Sequence, residues 1–177
     1  MKHEIESVST LFGSDPRLVS AVIYAERVLN VTWMEDRMDH LLAGAGYNSS
    51  MGLGQVKLET AIWIEENIND PSSNYYLGED HRPLLRQSVS RLDLVQKLAT
   101  DSSNLLYVTA YLEMIKHRWK AAGTPLDTSI SVVASLYALG AMKANGDERM
   151  PHGHAEPNQF GRVAEQFYRE ISSWTWN

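Results

Sequence analysis

Apolar residues recur at three- and four-residue intervals along most of this chain, and no segment of any length alternates with the period of a strand. Ile5, Val8, Leu11 and Phe12 predict a short helix within residues 1–13, stopped by Gly13. Ser14-Asp15-Pro16 predicts the next start, with a capping side chain followed by a proline whose missing N–H is harmless in a first turn. In that helix Leu18, Val22, Ala25 and Leu29 form one stripe, with Val19, Ile23 and Glu26 beside it, and the helix should end near Asn30. Residues 33–42 have the composition of a short helix, and 43–48 that of a loop. Helical spacing resumes from Leu58 to Asn69. Residues 70–90, with Pro71, Gly78 and Pro83, read as a long surface excursion serving as a lid or rim.

A short helix follows from Leu92 to Leu98. Asp101-Ser102-Ser103-Asn104 reads as the capping cluster of a longer helix whose stripe is Leu105, Val108, Leu112, Ile115 and Trp119, and which ends at Ala122-Gly123. Ser129 to Ala144 is nearly all apolar, the mark of a central buried helix. Residues 145–157 form a loop carrying His152 and His154. Gln159 to Ile171 is a last amphipathic helix, and the Trp174/Trp176 tail is expected to pack back on the body. The fold class expected is mainly α, a single domain over 1–177 with at most a minor β-hairpin.

The 177 residues suffice for one domain with a substantial core, and 44% apolar residues is a globular composition. A net charge of −6 without a Lys/Arg run argues against nucleic acid as a partner. There is no cysteine, so disulfides are excluded. The opening Met1-Lys2-His3-Glu4-Ile5-Glu6-Ser7 lacks the apolar core of a signal peptide, and no apolar run is long enough to insert in a membrane.

Glu26 is the candidate for chemistry. Most helical glutamates are solvated surface residues. This one borders an apolar stripe near a helix C-terminus, where desolvation and the helix dipole together would raise its pKa toward the range of a general acid. The second candidate is the turn Ser50-Met51-Gly52-Leu53-Gly54-Gln55-Val56, whose glycines permit a tight bend or a close approach. It lacks the Gly-Lys-Ser/Thr of a phosphate-binding loop. Asp36 and Asp39 are surface charges or a second carboxylate holding a water. His152 and His154 lack an apparent third ligand, so no metal and no cofactor is expected. Trp33 and Trp63 are core residues or sugar-stacking ones.

In this order the pieces resemble the lysozyme-like lytic transglycosylases, the group of soluble lytic transglycosylases and goose-type lysozymes. Asp15-Pro16-Arg17-Leu18-Val19-Ser20-Ala21-Val22-Ile23-Tyr24-Ala25-Glu26-Arg27 is similar to the family's opening helix, with Arg27 where a Ser is usual. Ser50, Gly52-Leu53-Gly54-Gln55-Val56 and Thr60-Ala61 resemble its second motif, with Gly54 in place of Met and Lys57 where goose-type lysozymes carry Asp. Asn104-Leu105 with Ala110-Tyr111-Leu112, and Ala134-Ser135-Leu136-Tyr137-Ala138-Leu139-Gly140, resemble two later motifs; Ala138 replaces Asn. The likeness covers roughly residues 14–170.

This resemblance implies a lysozyme-like fold, with any hairpin near the cleft, and cleavage of the β-1,4 bond between N-acetylmuramic acid and N-acetylglucosamine. One glutamate, Glu26, would act as acid and base and yield a 1,6-anhydro product. Ser50, Met51, Gly52, Gln55 and Tyr137 would bind the glycan strand. Asp36 or Asp39 as a base would instead make the enzyme a hydrolase. Arg27, Gly54 and Ala138 leave room for an inactive module that binds glycan or protein, and an unrelated helical domain would separate Glu26 from Gln55. Peptidoglycan lies in the periplasm or cell wall, so the missing signal points to export by a secretion machine or release in phage lysis. An immunity or inhibitor protein is then an expected partner.

Overall fold

The computed structural model describes residues 1–29 and 50–171. Trp33, Asp36, Asp39, the segments 33–42 and 43–48, and the Trp174/Trp176 tail lie outside the described residues.

The described chain is mainly helical, with one small antiparallel sheet. Helix α1 spans Lys2–Phe12 and ends as its sequence requires: Gly13 takes a left-handed conformation (φ 63°), and Ser14 N donates to Ser9 O at 2.9 Å. Helix α2, Pro16–Leu29, starts on Asp15, whose carboxylate accepts from Arg17 N at 2.9 Å. Strands β1 (Ser50–Met51) and β2 (Val56–Lys57) pair Ser50 with Lys57 and Met51 with Val56. Then come α3 (Leu58–Asn69), a 3-10 turn at Glu79–Leu84, α4 (Arg91–Ala99), α5 (Asp101–Ala121), α6 (Ile130–Leu139) and α7 (Gln159–Ile171). Among the described residues no helix is long and apolar enough to cross a membrane.

Helix α6 is buried on every side over two turns, as its composition predicts, and α5 is buried well beyond its stripe. Besides its predicted stripe α5 buries Tyr107, Thr109, Ala110, Tyr111 and Met114, and α6 is buried from Ser131 to Tyr137 and exposed at Ala138 and Leu139. The reason is placement. Helix α5 packs against α1, α4 and α6 and touches α2, α3 and β2, while α6 lies chiefly on α7. That second crossing is close because Gly161 on α7 has no side chain: a Cβ there would stand 2.0 Å from Ser131 O. Helix α7 also packs along α2, and the Tyr24 and Phe167 rings stack at 3.8 Å.

Residues 70–90 are tied to the helices at several points. Asn69 Nδ2 donates to Leu85 O at 2.9 Å, and Ser88 donates its N–H and hydroxyl to the buried Glu65 carboxylate at 2.6 and 2.7 Å. Tyr75 OH donates to Glu148 Oε1 at 2.9 Å, and Arg118 Nε donates to the same oxygen at 2.7 Å. The bond from Arg118 holds the Glu148 carboxyl below the usual glutamate value of 4.5, outweighing the opposite pull of partial burial, with help from Tyr75. A carboxyl depressed on folding stabilises the fold fully above its unfolded value, and that contribution is lost as pH falls through the folded one. Glu148→Gln should therefore flatten part of the acid side of the stability curve. The check is the urea midpoint of wild type and variant from about pH 6 down to about pH 3. The gap between the two should shrink as the pH falls.

Candidate active site

Glu26 comes from the last full turn of α2 and is only 7% exposed. Its neighbours in the helix, Val22, Ile23 and Ala25, are buried core residues, so the carboxylate has been drawn out of water as its place beside the apolar stripe suggested. Arg27, where the family pattern has Ser, is half-buried. The Glu26 charge is felt by Tyr137 of α6. Burial first, and then the nearby Glu26 charge, push the Tyr137 phenol well above its ordinary value. Its hydroxyl donates to Gly54 O at 2.6 Å. Residues 54 and 137, far apart in sequence, are thus in direct contact, within the electrostatic reach of Glu26.

The Gly54 side of this junction is the turn between β1 and β2. Gly52 has φ +71°, and Gln55 N donates back to Gly52 O at 3.2 Å. Gln55 itself has φ 48°, a left-handed conformation uncommon for a residue with a side chain. Its Nε2 also donates to Gly52 O, at 3.1 Å, which orients the amide and turns Oε1 away from that bond as an acceptor. Behind the turn stands Asn104 of α5, fully buried. Its Nδ2 donates to Met51 O at 2.9 Å and to Leu98 O at 3.0 Å, and its Oδ1 accepts from Gly54 N at 2.9 Å.

A row of rings leads away from Tyr137. Tyr111 lies 5.6 Å from it, Trp63 lies 5.7 Å from Tyr111, and Tyr75 lies 4.6 Å from Trp63, the last two contacts edge-on. Burial pushes the Tyr111 phenol up to about 12, against the opposite pull of the bond its hydroxyl accepts from Ala141 N. Trp63, half-buried against the core, belongs to this row.

Of the expected glycan contacts, Ser50 and Gln55 are half-buried on the hairpin. Met51 is a correction: it is fully buried, so its side chain belongs to the core and only its carbonyl serves the site, by holding Asn104. Gly52 contributes backbone, because a Cβ there would stand 2.3 Å from Asn104 Nδ2. Tyr137 is buried against the turn. His152 packs at 5.6 Å from the Trp119 ring, and His154 is exposed. Among the described residues no group of three or more His, Cys, Asp or Glu could hold a metal ion.

Asn104 is the residue the sequence reading misplaced. It is not a cap: Thr100 occupies that position, and Asn104 lies inside the helix. Its interval of four to Val108 and seven to Tyr111 put it on an apolar face, where an amide needs a buried partner.

Gly54, which replaces Met in the resemblance, faces the interior. A Cβ there would stand 2.1 Å from Val108 Cγ2 and 2.9 Å from the Tyr137 hydroxyl. Gly54→Ala should lower stability by about 1–3 kcal/mol, the usual consequence of overpacking. Thermal unfolding checks this, and an unchanged midpoint would show that the turn has another way to settle.

Comparison of the chain with protein-family models, curated proteins and solved structures returns no match.

Proposed function

We propose that this protein is a glycosidase of the lytic transglycosylase type, acting on peptidoglycan with Glu26 as its single acid and base. The observation that carries the reading is the buried Glu26 carboxylate, whose charge acts on the Tyr137 phenol that is itself bonded to Gly54 O of the Gly52–Gln55 turn. Most of the water around Glu26 is excluded, and the Tyr137 phenol, which feels its charge, has its proton committed to Gly54 O. In the first step the protonated Glu26 gives its proton to the oxygen linking muramic C1 to glucosamine C4. That C1–O bond breaks and the glucosamine leaves with a free 4-hydroxyl. In the second step the Glu26 carboxylate takes the proton of the muramic C6 hydroxyl as O6 bonds to C1. The products are a 1,6-anhydro ring and a regenerated acid, with no water consumed. Gln55, its amide oriented by Gly52 O, would accept from a sugar N–H or O–H, and Ser50 lies on the same hairpin.

A muramidase of similar build differs only in what attacks C1, and Asp36 or Asp39 would then hold the water. An inactive binding module is the other reading, and the exposed Ala138 beside Tyr137, where the family pattern has Asn, favours it. Delivery to the periplasm or cell wall through a secretion machine or phage lysis, and an inhibitor that plugs the site in the producing cell, follow from the substrate. The test is clearing of purified, dye-labelled sacculi by the full chain. Release of soluble dye supports a cell-wall glycosidase, and no release by folded protein supports the binding module.

A further inference from the structure

Resting on the assignment of Glu26 as the acid, we propose that Asn104 is a positioning residue of this site, its buried amide fixing Gly54 and thereby Tyr137. An asparagine inside a helix is a poor helix former and carries an amide that must be satisfied once buried. Asn104 is fully buried in the interior of α5, so its presence has to be explained by tertiary contacts. Those contacts are specific. Both amide hydrogens are used, on Met51 O before the turn and on Leu98 O at the end of α4, and the amide oxygen takes Gly54 N.

Gly54 is therefore gripped at both of its polar groups: its N–H by Asn104 and its carbonyl by Tyr137. The two glycines of the turn make the grip close, since a Cβ on Gly52 would collide with Asn104 Nδ2 and one on Gly54 would stand 3.4 Å from Oδ1. No other side chain of this size supplies two donors and an acceptor. Leucine would orphan two carbonyls and an N–H, and aspartate has no pair of donors. If the turn shifts, Gly54 O moves, and with it the Tyr137 hydroxyl, whose ring lies within reach of the Glu26 charge. Asn104 thus acts on the acid through two intermediates, without touching substrate.

The test uses the full chain with Asn104→Asp, Tyr137→Phe and the double variant, and with Asn104→Ser should the buried charge prevent folding. Hydrogen exchange is read over residues 50–57 and 105–119, and turnover and KM are measured on soluble glycan strands. The expected result for Asn104→Asp is exchange about tenfold faster in 50–57 with 105–119 unchanged, and turnover about tenfold lower with KM within about twofold. The double variant should be no slower than the slower single, because both substitutions release the same residue. Unchanged exchange in 50–57, or losses that multiply in the double variant, would overturn the assignment of Asn104 while leaving the glycosidase standing. A folded wild type that cleaves nothing overturns the glycosidase and with it this role for Asn104.

Discussion

Replacing Glu26 with glutamine should reduce glycan cleavage by about 10²–10⁴-fold while leaving the protein folded. The substitution keeps the side chain's shape and removes only its ability to donate and retrieve a proton. With one residue acting as acid and then as base, both half-reactions fail together, so no slow second step survives to be rescued. The unfolding midpoint should stay within a few degrees, since a neutral amide of equal size fits the same space among Val22, Ile23 and Ala25. A Glu26→Gln variant as active as wild type would remove Glu26 from the chemistry and leave its burial a structural fact only.

The second large effect concerns stability and a different carboxylate. Glu65 of α3 has a side chain 5% exposed and lies at the centre of a network drawn from three other places in the chain. Tyr107 OH donates to Oε1, the Ser88 N–H and hydroxyl donate to the two oxygens, and Lys97 Nζ lies 3.3 Å from Oε1. Burial, followed by the bond to Glu65 and its charge, pushes the Tyr107 phenol well above its ordinary range. Lys97 also donates to Arg86 O and Ser88 Oγ, each at 2.9 Å. Glu65→Ala would strand the buried Tyr107 hydroxyl and the Ser88 N–H and take one of several partners from the Lys97 ammonium. Removing one partner of such a buried pair costs about 3–5 kcal/mol. Lys97, 28% exposed, recovers some of this from water, so the lower end is expected. That corresponds to a midpoint lowered by roughly 6–12 °C for a chain of this length. The segment 70–90 should also become the first site of proteolysis, because two of its ties run through this carboxylate. A midpoint within about 2 °C of wild type would contradict the account.

These two glutamates show where sequence was informative and where it was not. Glu26 announced itself because its surroundings are local: the stripe it borders and the helix end it occupies lie within a dozen residues. The start at Asp15-Pro16 and the stop at Gly13 were legible for the same reason. Glu65 carried no such mark. It looked like one more residue of an amphipathic helix, because the groups that justify its burial lie 23, 32 and 42 residues away. A minor hairpin was expected, but its strands could not be placed, since strands of two residues are too short to alternate. Asn104 was mistaken for a cap because Asp101-Ser102-Ser103-Asn104 is rich in capping residues, and which of them faces the core depends on where the helix begins. Helix α5 buries more than its stripe foretells because composition reports how apolar a helix is, not how many neighbours surround it. Tyr111 and Tyr107 are polar enough to dilute the α5 pattern, yet both are buried with their hydroxyls bonded.

Mass spectrometry of the soluble products released from purified peptidoglycan, wild type beside Glu26→Gln, tests the central claim most directly. The account predicts muropeptides ending in 1,6-anhydromuramic acid from the wild type and none from the variant. Products with reducing muramic ends would contradict the single-glutamate transfer mechanism and place a water, held by Asp36 or Asp39, where the C6 hydroxyl was assigned. No release by folded wild type would contradict the enzyme altogether and leave a binding module in its place.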